Sequence, residues 1–80
     1  MHRTEIDERY EGAVLLDGFD EAIIGVAAIA GQEDVVVYDA EKIIEILARD
    51  MPEEDAVEYY HFNVAGAYFG PRTPALLHDK

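Results

Sequence analysis

An α+β domain, with a small antiparallel sheet of two to three strands packed against two helices, is the fold this sequence predicts. Three observations predict it. Two apolar runs rich in β-branched residues, 22–30 and 35–38, flank the turn chemistry of Gly31, Gln32, Glu33 and Asp34. Apolar residues then recur at helical spacing behind a capping aspartate, Asp39. A second helical stripe follows Pro52 and three acids.

Taken in order, residues 1–12 are polar and charged and predict a loose N-terminal arm, tightening near Ile6 and Tyr10. In the run 22–30, Ala27, Ala28 and Ala30 favour helix, whereas Gly25 and the branched Ile23, Ile24, Val26 and Ile29 favour strand. With the safer strand Val35, Val36 and Val37 beyond Gly31, which can take positive φ, the pair predicts a β-hairpin. Asp39 is the expected N-cap of a helix over residues 40–49, with Ala40, Ile43, Ile44 and Leu47 at i, i+3, i+4 and i+7 as its core face. Glu41, Lys42, Glu45 and Arg49 fall on the other side, Glu41 repelling Glu45 and Glu45 attracting Arg49. Pro52 suits a first helical turn, and Glu53, Glu54 and Asp55 follow near the positive end of the helix dipole. This second helix is expected to bury Ala56, Val57, Tyr60, Val64, Ala67 and Tyr68 until Gly70 and Pro71 end it. The segment 74–78 offers one more short strand, in an order that the sequence leaves open.

Eighty residues make one domain, 1–80, with a thin core. No cysteine is present, which excludes disulfides and thiolate chemistry, and stability must come from packing. No apolar run is long enough for a membrane span, and the start resembles no signal peptide, so the expected location is the cytoplasm. Six Lys and Arg face eighteen Asp and Glu, for a formal net charge of −12. Residues 17–58 hold thirteen of those acids against Lys42 and Arg49 alone. Such a surface repels nucleic acid and anionic membrane and attracts basic surfaces with salt-sensitive association. The plain alternative is that acidity serves solubility.

Nothing in the sequence supports catalysis or a cofactor. The histidines, His2, His61 and His78, lack a nucleophile arrangement, and the glycines are scattered rather than gathered into a phosphate loop. Glu58 and His61 have the i, i+3 spacing of helical di-iron ligands without the second pair such sites need, so no metal is expected. The acids themselves are the candidate site. Asp50, Glu53, Glu54, Asp55 and Glu58 form one group, and Asp39, Glu41 and Glu45 a second. Carboxylates three or four positions apart on a helix lie roughly 5 to 6 Å apart at Cβ, and their side chains can reach further, so an acidic helix can imitate a row of phosphates. Tyr59 and Phe62 are expected beside them on the surface, where aromatics anchor interfaces; the alternative is that the N-terminal arm buries them.

The stretches FDEAIIGV, VVVYDAEKIIEIL and EEDAVEYYHFNVAGAYFGPRTP carry a resemblance to small acidic proteins of phages and prophages. The matching positions are Asp20, Ala22, Ile23 and Gly25; Val36, Tyr38, Asp39 and Lys42; and Asn63, Gly66, Ala67, Tyr68, Gly70, Thr73 and Pro74. The chain departs from the pattern at Pro52, where relatives carry a Ser or Thr cap, and at Pro71. In size and charge it is similar to anti-CRISPR inhibitors of type I effector complexes, type I-C included. That resemblance implies binding to a Cascade surface that otherwise engages target DNA, near the subunit that reads the PAM. A phage adaptor, recognising another host DNA-binding protein or a virion component through aromatic residues, is the second expectation.

Overall fold

The computed structural model describes residues 13–78; the arm expected over 1–12 lies outside them. The architecture is α+β. Strands β1 (Ile23–Ala27), β2 (Val35–Asp39) and β3 (Ala75–Leu77) form one sheet with β2 in the middle, accompanied by helices α1 (Ala40–Leu47) and α2 (Glu53–Tyr59). A 3-10 turn, Asp20–Ala22, leads into β1, and α2 runs on into a π-helical turn, Tyr60–Val64.

β1 and β2 pair antiparallel, as a hairpin requires. The first run is shorter than 22–30, because Ala28, Ile29 and Ala30 belong to the connection. There the Gln32 N–H donates to the Ile29 carbonyl at 3.0 Å, and Gly31 adopts φ +77°. Positive φ at the third position of a four-residue turn is a conformation that glycine takes without steric cost. Pairing slips by one residue along β1: Ile23 lies opposite Tyr38, but Gly25 lies opposite Val37. In an unbroken strand Ile23 and Val26, three apart, would point to opposite faces. The bulge inserts Ile24, which stays exposed, and lets both Ile23 and Val26 reach the core around Val36 and Tyr38.

The third strand corrects the antiparallel expectation. β3 pairs with β2 in parallel, Val37 opposite Ala75 and Asp39 opposite Leu77, so the sheet is mixed. Parallel neighbours need a long crossover, which α1, α2 and the segment 65–74 supply. That segment carries the chain back to the start of β2, where Arg72 Nε donates to the Asp34 carbonyl at 3.4 Å and lies 3.7 Å from a Glu33 carboxylate oxygen. Gly70 turns at φ +91°; the Thr73 hydroxyl accepts from the Phe69 N–H at 2.7 Å and donates to the Gly70 carbonyl at 2.6 Å. With Pro74 buried behind them, Gly70 and Thr73 serve the fold: they close the turn that aims β3.

Asp39 caps α1, one carboxylate oxygen accepting from the Glu41 and Lys42 N–H groups at 3.0 and 3.2 Å. Ala40 and Ile43 are buried, with Ile44 and Leu47 packed beside them. The helix ends at Leu47, and Ala48, Arg49 and Asp50 wind into a turn. Arg49 therefore leaves the helical face on which it was expected to pair with Glu45. Its guanidinium instead makes two hydrogen bonds to the Glu21 carboxylate, 2.9 and 3.2 Å, while Glu45 pairs with Lys42 at 3.1 Å.

Pro52 stands one position earlier than expected, at the N-cap of α2, where it supplies no side-chain hydrogen bond. Its carbonyl accepts from the Ala56 N–H at 2.9 Å. Ala56 and Tyr60 are buried as expected, and Val64 packs against the core. Beyond that point the buried stripe stops, because the Ala65 N–H donates to the Tyr60 carbonyl at 2.8 Å, the five-residue spacing of π winding, and the Ala67 N–H turns back to Val64 at 3.2 Å. The helix does not reach Gly70, and Tyr68, expected inside, is exposed. Tyr38, Tyr60, Ile43 and Val36 are the largest fully buried side chains. The Tyr38 hydroxyl accepts from the Leu16 N–H at 2.8 Å, tying the segment before β1 to the central strand.

Asp39→Ala should destabilise the protein by about 1 kcal/mol, the usual cost of an N-cap, and Asp39→Asn should recover most of it. Urea unfolding of the three proteins checks this; equal midpoints for wild type and Asp39→Ala would show that the cap contributes nothing.

Candidate functional site

Helix geometry decides what α2 shows to solvent. With Ala56 and Tyr60 inward, four positions apart, Glu53, Glu54, Asp55, Glu58 and Tyr59 are all exposed. Two positions past Tyr60, within the π-helical turn, Phe62 is 79% exposed. Glu54 and Glu58, and Asp55 and Tyr59, are pairs at i, i+4, so carboxylates and an aromatic ring share neighbouring rows of one short helix. Asp50 is exposed in the turn before α2, and Glu41 and Glu45 are exposed on α1, which packs against α2 and its π-helical end.

The described cations do not reach the acids of α2. Lys42 is placed on Glu45, Arg49 on Glu21 and Arg72 on Glu33. Among the described residues, Glu53, Glu54, Asp55 and Glu58 have no ion-pair partner. The start of the α2 dipole offsets part of the repulsion among the first three. Glu58 lies beyond that turn, and no cation among the described residues compensates it. Asp39 differs from the other candidates: it is half-buried and one of its oxygens is engaged in the cap.

Tyr60 anchors the surface from below. It is fully buried, its hydroxyl lies 3.1 Å from Nε2 of His78, and its ring meets those of His61 and His78 edge-on. Burial pushes its phenol above the ordinary 10.0, and the charge of Glu41 adds to the shift. In the opposite direction, the hydrogen bond from Arg49 and then its charge hold the Glu21 carboxyl below its usual range.

Two further aromatics are exposed, Tyr68, expected in the core, and Phe69. The signals for them were Asn63 and Gly66. The Asn63 side chain donates to the Tyr59 carbonyl at 3.3 Å, competing with the helical backbone, and glycine is a weak helix former. Both disfavour a helix continuing to residue 68. As for metals, no three His, Asp or Glu side chains gather at one point among the described residues. The arrangement presents charge and aromatic surface to solvent. The chain matches no protein-family model, no curated protein and no solved structure.

Because the folded state holds the Tyr60 proton more tightly than the unfolded chain does, its contribution to stability is complete below pH 10.0 and is lost as pH rises through the raised value. Urea midpoints measured on either side of pH 10.0 should fall less steeply for Tyr60→Phe than for wild type. The same alkaline loss in both proteins would place its origin in another group.

Proposed function

We propose that the protein is a phage-encoded, non-catalytic inhibitor acting in the host cytoplasm. It lays the acidic face of its helices in the Lys/Arg-lined channel through which a type I CRISPR effector, Cascade, engages target DNA. The observation that carries this reading is the run of exposed carboxylates on α2, Glu53, Glu54, Asp55 and Glu58, left unpaired while each described cation sits on an acid elsewhere. Asp50, Glu45 and Glu41 extend the negative surface on the N-terminal side in the chain, and Tyr59 and Phe62 are its aromatic contacts.

The mechanism is steric competition assisted by charge. DNA-binding channels gain affinity by releasing condensed counterions from phosphates, and a folded polyanion competes for the same Lys and Arg side chains. Its field also raises the rate of encounter, most strongly at low salt. No bond is made or broken, and the protein itself is repelled by nucleic acid. Small phage proteins of this size and charge include inhibitors of this kind, which supports the class of target. A second reading, a phage adaptor that binds another host DNA-binding protein or a virion component, is favoured by the exposure of Phe62, Tyr68 and Phe69.

Duplex-DNA binding by purified type I-C Cascade, titrated with this protein, tests the proposal. Wild type should block binding, with a potency that falls steeply between low and high salt. Glu54→Lys/Glu58→Lys should lose at least about tenfold in potency while keeping the wild-type circular dichroism spectrum. Undiminished inhibition by the folded double reversal would sink the charge mechanism, and capture of a partner insensitive to salt would favour the adaptor.

A further inference from the structure

Acids are dense up to Glu58 and then pause for twenty residues. Residues 59–78 contain none, whereas residues 17–58 contain thirteen, and the only ionisable groups in the later stretch besides tyrosines are Arg72, His61 and His78. This acid-free stretch is also where the protein exposes its largest rings: Phe62, Tyr68 at 78% and Phe69 at 52%. Nothing about folding calls for this, since the core closes around Tyr38, Tyr60, Ile43 and Val36 without them. Nor are they carried on a slack loop. Phe62 is held on the π-helical turn, the chain after it is fixed by the Ala65-to-Tyr60 and Ala67-to-Val64 hydrogen bonds, and the Phe69 backbone is held by Thr73. A braced presentation lowers the ordering cost of binding.

We propose that Phe62, Tyr68 and Phe69 form a second docking element, distinct from the acids, that inserts into an apolar pocket bordered by Lys and Arg on a partner protein. The occupant follows from charge complementarity. A second copy of this chain would set one body of net charge −12 against another. Nucleic acid and anionic lipid meet the same repulsion. A pocket that is apolar at the centre and basic at the rim satisfies both halves of the surface at once. This rests on the proposed function and deepens it by stating what the target must offer: basic side chains to steer the encounter and an apolar cleft to slow its dissociation.

Two synthetic probes of equal positive charge test it without the effector. One is an amphipathic helical peptide with a Leu/Trp face and a Lys/Arg face; the other replaces the apolar face with Ser and Gln. Wild type should bind the first about tenfold or more tightly than the second. Phe62→Ser/Tyr68→Ser/Phe69→Ser should bind both at the level of the polar peptide, whereas Glu54→Lys/Glu58→Lys should weaken both and keep the difference. Circular dichroism checks each fold, and the single Phe62→Ser and Phe69→Ser variants replace the triple one if it does not fold. An advantage that survives loss of the rings, or is absent in wild type, overturns the inference. So does a wild-type dimer in sedimentation that the triple substitution dissolves, because the rings would then serve a second copy. Failure of the inhibitor reading shows only in the Cascade–DNA assay, so the two cannot be confused.

Discussion

Burial of Tyr60 determines what α2 can present. A fully buried tyrosine in a domain this small occupies a large part of the core, and its hydroxyl needs a partner. His78, just past β3, supplies one, so the end of the second helix and the end of the third strand are held together through one side chain. Once Tyr60 and Ala56 point inward, the intervening Glu58 and Tyr59 have no place but the surface. The acidic and aromatic character of that face is therefore not a decoration that a relaxed helix could rotate away. Turning it inward would bury a carboxylate with no cation nearby, at a cost of several kcal/mol.

Two of the described cations tie distant parts of the chain together. Arg49 joins the turn after α1 to Glu21 before β1, and Arg72 joins the crossover to the start of β2. Solvent screens such surface pairs, so their value lies more in fixing which segments meet than in strength. Arg72 is the clearest case: its hydrogen bond to the Asp34 carbonyl brings the chain back to the start of β2 before β3 begins, which is the geometry that a parallel strand requires. Among the described residues, the three cations sit on Glu45, Glu21 and Glu33, and none on the acids of α2.

Elements whose cause is local were legible in the sequence. The hairpin turn at Gly31, the Asp39 cap, the apolar stripe of α1 and the start of α2 all arise from residues within a few positions of one another. Where distant groups decide, the sequence misled. The direction of β3 depends on where the segment 65–74 goes, and the Ile24 bulge depends on matching Ile23 and Val26 to one face of β2. Tyr68 was mistaken for a core residue because helical periodicity was extended through Asn63 and Gly66, where the winding changes and the helix stops. The exposed acids of the candidate surface were foreseen; Asp39 proved to be shared with the fold, and Tyr68 and Phe69 emerged only once the helix end was placed.

Solubility alone would be served by acids spread over the whole surface, since net charge acts at long range wherever it is placed. The observed distribution is segregated: acids fill the chain up to Glu58, and exposed rings follow on a stretch without any. Along the chain, this segregation gathers like charges in one stretch and exposed apolar rings in the next. It also separates two quantities that a mixed surface would confound. Charges act over about 8 to 10 Å at ordinary salt and influence how often partners meet, whereas rings act only at contact and influence how long they stay. Tyr60 lies in the chain between Glu58 and Phe62, so one buried side chain fixes the last acid of α2 and the first fully exposed ring in relation to each other.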